Sequence, residues 1–270
     1  MNQDIWIWDL VHKKLTRLTF EKDGAGNPLW TPDGKRIAFS SVPSESQVRV
    51  YWQAADGTGA PELLSVVPER NAIPSSWASG GNTLVLTDIS PGFLGYEIGM
   101  LTMKGDRARK ALLPSKYRET QPQISPDGRW MAYVSDESGS SEVYVRPFPD
   151  VNKGGKWQIS TSGGDSPLWS KDGRELLYRN GDAAMAVSVK AESDFSFQTP
   201  LVLFRGNYVS VNLNPAGNEL KPWDISPDGK HFLMMKAAGS NAAVGEGPRR
   251  INIVLNWFEE LKQRLPTGKK

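Results

Sequence analysis

The sequence predicts an all-β chain folded as a six-sector β-propeller whose first blade is incomplete, with a short helix at the C-terminal end. Three observations carry this reading. A segment centred on a Pro-Asp-Gly-type turn recurs five times along the 270 residues. Six segments read as the third strand of a blade, one more than the number of turn segments. Finally, 26 glycines, 19 prolines and 10 tryptophans supply turns and large flat side chains in a chain with few helical patterns.

The five turn segments are Pro28–Ser40, Ser76–Thr87, Pro122–Val134, Pro167–Tyr178 and Trp223–Met235. Their glycines, Gly34, Gly81, Gly128, Gly173 and Gly229, are spaced by roughly 45 to 56 residues, which suits propeller blades and is too long for leucine-rich or ankyrin units. In Ser-Pro-Asp-Gly, proline presets φ for the first corner, aspartate suits the second, and glycine takes the positive φ that closes a hairpin. A short strand precedes each turn and an alternating strand follows it, giving the two inner strands of a four-stranded blade. Trp30, Trp77 and Trp169 occupy one position of the repeat and are expected to pack between neighbouring blades.

Third strands follow at Val48–Trp52, Glu97–Leu101, Glu142–Val145, Met185–Val189 and Ile251–Leu255. Fourth, outer strands are expected at Glu62–Leu64, Ala111–Leu113, Trp157–Ile159 and Leu201–Leu203. The start differs. Asp4–Asp9 reads as a third strand and Leu15–Phe20 as a fourth, with no turn segment before them, so a propeller lacking its first inner pair is favoured over an irregular first segment. The open edge this leaves predicts a homodimer through residues 4–20. Phe204–Leu220 and Ala237–Gly247 read as loops. Asn256–Leu265 places Trp257, Leu261 and Leu265 on one helical face, so residues 1–256 are expected to form the propeller and 257–270 a helix and tail beside it.

Composition narrows the chemistry. There is no cysteine, which removes disulfides, thiolate metal sites and cysteine nucleophiles, and two histidines cannot build a His-rich metal centre. A formal net charge of +2 argues against a nucleic-acid surface. No apolar run has the length of a membrane span, and Met1–Leu10 does not read as a signal peptide, which implies a cytoplasmic chain as written. Kinase motifs and a Gly-x-Ser-x-Gly elbow are missing, Gly24-Ala-Gly26 is a lone loop motif, and His12 and His231 lie in or beside turns as poor candidates for a catalytic base.

Residues just before the inner strands of a propeller converge at one mouth of the central channel. Here these are Asn27, Glu69, Asn71, Glu119, Gln121, Asp165 and Glu219. The carboxylates Glu69, Glu119, Asp165 and Glu219 would suit Ca²⁺ or another divalent cation, and such an ion could polarise an ester or phosphotriester and activate water. Arg70, Arg118 and Lys221 lie beside these acids in sequence as alternative partners. The favoured reading is a non-catalytic module binding a protein, peptide or small molecule at the channel mouth. The alternative is a divalent-metal-dependent hydrolase of lactonase, esterase or phosphotriesterase type.

The repeat resembles the WD40-like repeats of TolB-type β-propellers. Asp4–Leu10, Leu15–Phe20, Glu142–Pro149, Gly155–Ser160 and Ile253–Trp257 further resemble the propeller domains C-terminal to bacterial serine/threonine protein kinases of the acidobacterial type. In that family an inner hairpin precedes the Asp-Ile-Trp-Ile strand, so the resemblance implies a fragment of a larger protein. It also implies sensing or interaction roles, and it leaves an extracytoplasmic setting open for the parent domain.

Overall fold

The computed structural model describes residues 4–20, 24–41, 47–65, 70–90, 95–191, 194–209, 221–226, 228–235 and 252–254. These residues form six antiparallel sheets in chain order. The first holds only β1 (Trp6–Asp9) and β2 (Lys14–Arg17). The second runs β3 (Ala25–Trp30), β4 (Arg36–Ser41), β5 (Arg49–Ala54) and β6 (Glu62–Ser65). The third runs β7 (Asn71–Trp77), β8 (Thr83–Ile89), β9 (Tyr96–Thr102) and β10 (Arg109–Leu113). The fourth comprises β11 (Glu119–Ile124), β12 (Trp130–Ser135), β13 (Glu142–Pro147) and β14 (Trp157–Gln158).

The fifth sheet contains β15 (Asp165–Trp169), β16 (Glu175–Asn180), β17 (Ala183–Ala191), β18 (Phe195–Phe197) and β19 (Leu201–Arg205). The sixth contains β20 (Trp223–Ile225), β21 (Phe232–Met234) and β22 (Asn252–Val254). Every pairing joins strands of one blade, as expected for a radial array.

The recurrent turn is a hydrogen-bonded device. In the second blade the Thr31 hydroxyl donates to Asp33 (2.6 Å) and accepts from the Arg36 N–H (3.0 Å), while Asp33 accepts from the Lys35 N–H (3.1 Å). The same bonds recur at Ser125, Asp127 and Trp130, and at Ser170, Asp172 and Glu175. The turn glycines Gly34, Gly128, Gly173 and Gly229 have φ between 67 and 73°, the left-handed region where a side chain is disfavoured. The third blade lacks the hydroxyl and the aspartate. It replaces them with a 3-10 turn, Ser79–Gly81, in which Gly80 and Gly81 both have positive φ.

Strand alternation then builds the core between blades rather than within one. On β4, Ile37 and Phe39 face Ile5 and Leu18 of the first blade, whereas Ala38 faces Leu84 and Leu86 of the third. Val85 and Ile98 meet Met131 and Tyr133, and Ala132 and Val134 meet Leu176 and Tyr178. Leu177 and Ala184 meet Trp223 and Phe232 in the sixth blade. Each buried Val, Leu, Ile, Phe or Met among them contributes about 1.5–3 kcal/mol by leaving water.

Some sequence expectations change. Trp169 is buried and Trp77 packs against the second blade, but Trp30, at the same repeat position, is 49% exposed. Trp30 pairs with Ile37 and so faces the first blade, where β1 and β2 have no inner strands among the described residues to cover it. The stretch read as a loop from Phe204 begins as strand instead, because β19 runs through Arg205. The strand β18 was not foreseen. It pairs the far end of the nine-residue β17, while β19 pairs the near end. The stretch Ala237–Gly247 and the helix expected at Asn256–Leu265 lie outside the described residues.

Candidate functional site at the inner strands

The inner strands β3, β7, β11 and β15 are successive neighbours; β3, β11 and β15 carry a register shift near their starts, and β7 carries one further along, after Pro74. The cause is an X-Pro dipeptide. Proline cannot donate to the ladder and pushes the preceding residue out of the right-handed helical region. Asn27, Gln121 and Ser166, each followed by proline, take φ of 52, 55 and 52°. Left-handed backbone at a non-glycine residue costs on the order of 1–3 kcal/mol, so the surroundings must compensate.

Side chains at the bulges supply that compensation. Asn27 Nδ2 donates to Ser40 Oγ at 2.7 Å, and the Ser166 N–H donates across the blade boundary to Gln121 Oε1 at 2.6 Å. Further bonds cross between blades. Gln123 Nε2 donates to the Ser75 carbonyl (2.9 Å), Trp169 Nε1 to the Gln123 carbonyl (3.1 Å), and Trp223 Nε1 to the Ser166 carbonyl (2.9 Å). Asn71 Oδ1 accepts from the Val48 N–H at 2.7 Å, tying the third blade to the second. Gln121 and Asn71 thus join neighbouring blades, and Asn27 braces its own.

Two of the four expected metal-binding acids lie among the described residues, and Glu69 and Glu219 lie outside them. Glu119, the first residue of β11, is only 3% exposed. Burial raises its pKa, with Glu137 adding to the rise, while Ser115, Ser135 and Arg146 oppose it. Its Oε2 has no hydrogen-bond partner among the described residues. Asp165 opens β15, and burial raises its pKa too, against the bond from Ser166 and the charge of Arg179. The rise at both acids thus comes chiefly from burial rather than from mutual repulsion. Among the described residues no three carboxylates or histidines are grouped to hold a metal ion.

The basic neighbours act elsewhere. Arg70 pairs with Glu97 (2.9 Å), and Arg118 stacks over Tyr96 at 4.1 Å. His12 bonds Asp9 in an exposed turn, and His231 donates its backbone N–H to Ser226 Oγ, the bond every copy of the Ser/Thr-x-Asp turn makes.

Sequence reading missed Arg179. It is fully buried opposite Asp165, lies within 6.0 Å of the Trp223 ring, and donates to the carbonyls of Ala183 (3.2 Å) and Gly181 (2.9 Å). A lone arginine within the apolar run Glu175-Leu-Leu-Tyr-Arg179 was the available signal. Glu142 was also missed as a support. Buried, it accepts from the hydroxyls of Ser140 and Ser160 and from the Gly163 N–H.

A carboxyl held above its ordinary value by burial favours folding when protonated. That contribution is full below the unfolded value of about 4.3 and is lost as pH rises through the folded value. Glu119→Gln is therefore expected to gain stability relative to wild type as pH rises from 4 to 8. Melting temperatures of both proteins across that range check this, and a gap independent of pH would contradict it.

The fold defines the class: the chain is a TolB-like β-propeller. It is similar to TolB from Acinetobacter baumannii, with a TM-score of 0.65 at 20% identity over 87% of this chain and 54% of that one. It is also similar to an oligogalacturonate lyase in complex with manganese, with a TM-score of 0.59 at 13% identity over 88% of this chain and 65% of that one. In sequence, 133 residues are 30% identical to a protein TolB homolog from Chlorobium luteolum, covering 48% of this chain but 28% of that protein. The chain thus corresponds to about half the length of the Acinetobacter structure, and its sequence match to about a quarter of the Chlorobium protein. No family model matches. No helix among the described residues is long and apolar enough to cross a membrane.

Proposed function

We propose that this chain is a non-catalytic binding module that recognises a protein, peptide or small ligand at the mouth of its central channel. One observation supports this reading: the polar side chains near the starts of the inner strands are spent on bonds within the protein. Gln121 accepts from Ser166, Asn27 donates to Ser40, and Asn71 accepts from Val48. Groups committed in this way are poorly placed to move protons or ligate an ion, but they give a rigid rim. A preorganised rim lowers the ordering cost of binding.

The test runs two measurements on the purified chain. The first is bound divalent metal, with ester, lactone and phosphotriester hydrolysis before and after chelation. The second is binding to a random peptide array by wild type and by Asn27→Ala and Gln121→Ala. The expected result is no stoichiometric metal, no hydrolysis above buffer, and array signals that fall in both variants. Stoichiometric metal with chelator-sensitive hydrolysis would replace this reading with the hydrolase.

A further inference from the structure

We propose that the ligand taken at the inner-strand starts carries a carboxylate, and that the buried guanidinium of Arg179 is its anchor. This deepens the binding-module reading and rests on it for the place of the site; the probes below separate the two.

A cation without a counterion is the first observation. Arg179 is the penultimate residue of β16, and none of its surface is exposed. Arginine is almost never fully buried unless it is paired. Here Nε donates to the Ala183 carbonyl and Nη2 to the Gly181 carbonyl, which orients the group without cancelling its charge. Nη1 has no hydrogen-bond partner among the described residues. The two acids within electrostatic reach, Asp165 and Asp182, are engaged elsewhere. Asp182 pairs with Arg205 at 2.5 Å, and Asp165, opposite Arg179 in the ladder, accepts from the Ser166 hydroxyl at 2.8 Å. Taking one charge out of water is costly, and an anion that pairs with it offsets that cost.

The shape of the vacant donors is the second observation. Of the five guanidinium N–H groups the carbonyls use two, leaving both on Nη1 and one on Nη2. A fork of this kind matches the two oxygens of a carboxylate. A dianion such as phosphate would bring a second charge beside Asp165 and Asp182, so a monoanion is favoured. The rings of Tyr208 and Trp223, at 5.7 and 6.0 Å from the guanidinium carbon, give the site apolar walls. Asp165 and Tyr208 each keep part of their surface in water, and the approach runs past them. The anchor adjoins the inner-strand starts, because the residue after Asp165 is the one that Gln121 holds.

The test follows the melting temperature of the full chain in sodium acetate, chloride or phosphate at equal ionic strength, with the line width of isotope-labelled acetate as a second readout. A saturable rise with acetate alone is expected. Arg179→Lys keeps a charge but loses the fork, and should weaken acetate binding about tenfold. Asp165→Asn removes a competing acid and leaves the guanidinium, and should tighten it about threefold. That gain would not follow from a merely structural role, and it keeps the proposal falsifiable should Arg179→Lys fail to fold. N-acetyl-Ala-Ala against its amide, and an acetylated and amidated glutamate, tell a peptide C-terminus from an acidic side chain; whichever binds more tightly than acetate names the source. No acetate effect beyond chloride, phosphate as effective as acetate, or an acetate effect unchanged in both variants overturns the proposal. Peptide-array binding without any acetate effect removes this proposal alone. Acetate binding with a blank array keeps the anchor and narrows the binding-module reading to a small acid.

Discussion

Asp88→Ala is expected to destabilise the fold by about 3–5 kcal/mol, the cost of leaving a buried charge without its partner. Asp88 is fully buried on β8, and by alternation it shares the face of Leu84 and Leu86 that packs against the second blade. Arg109, from β10, reaches under β9 to it, with Nε 2.7 Å from Oδ2 and Nη2 also in contact. Gly99 makes the approach possible, since a Cβ there would collide with the Asp88 carboxylate and lie 3.1 Å from Arg109 Nε. Urea denaturation of Asp88→Ala, of Gly99→Ala and of the double variant Asp88→Leu/Arg109→Met separates the causes. The double variant is expected to recover most of the loss, because a buried pair replaced by apolar groups of similar volume is often neutral. A single variant within about 0.5 kcal/mol of wild type would mean that the pair does not hold the strands of the third blade together.

Trp169→Ala is expected to cost about 3–5 kcal/mol, the range for emptying a buried aromatic site. Its ring sits among Trp130, Val143 and Leu176 and lies 6.4 Å from Phe195. Trp30→Ala, at the equivalent position, is expected to cost about 1 kcal/mol or less, because half of its surface is already in water. Equal losses in chemical denaturation would show that Trp30 is covered in solution.

These two tryptophans mark how far the sequence is legible. Local chemistry reads well. The Ser/Thr-Pro-Asp-Gly turns and the alternating strands behind them are specified by neighbours within about six residues, and all five inner hairpins form where the repeat places them. What depends on a distant chain does not read. Trp30 and Trp169 carry the same local signal, and among the described residues they differ in whether the preceding blade has an inner strand beside them.

The polar residues before the inner strands follow the same logic. Their type and spacing suited ion ligands, yet Gln121 is used to accept a backbone N–H 45 residues away. The recurring X-Pro dipeptide hinted at a special backbone there without revealing its sign of φ. The strand β18 is only three residues long and follows a polar stretch, so periodicity had nothing to act on.

The attachment of the first blade also sets an order of opening. Interior blades are gripped on two faces, as the fourth is by clusters shared with the third and the fifth. Among the described residues the first blade is held by one, through Ile5 and Leu18 against Ile37 and Phe39. Sub-global opening follows the weakest boundary. The hairpin β1–β2 should therefore release as a unit while the remaining sheets stay closed. Its amides would then exchange with solvent through an opening free energy set by that interface, well below the free energy that unfolds the ring.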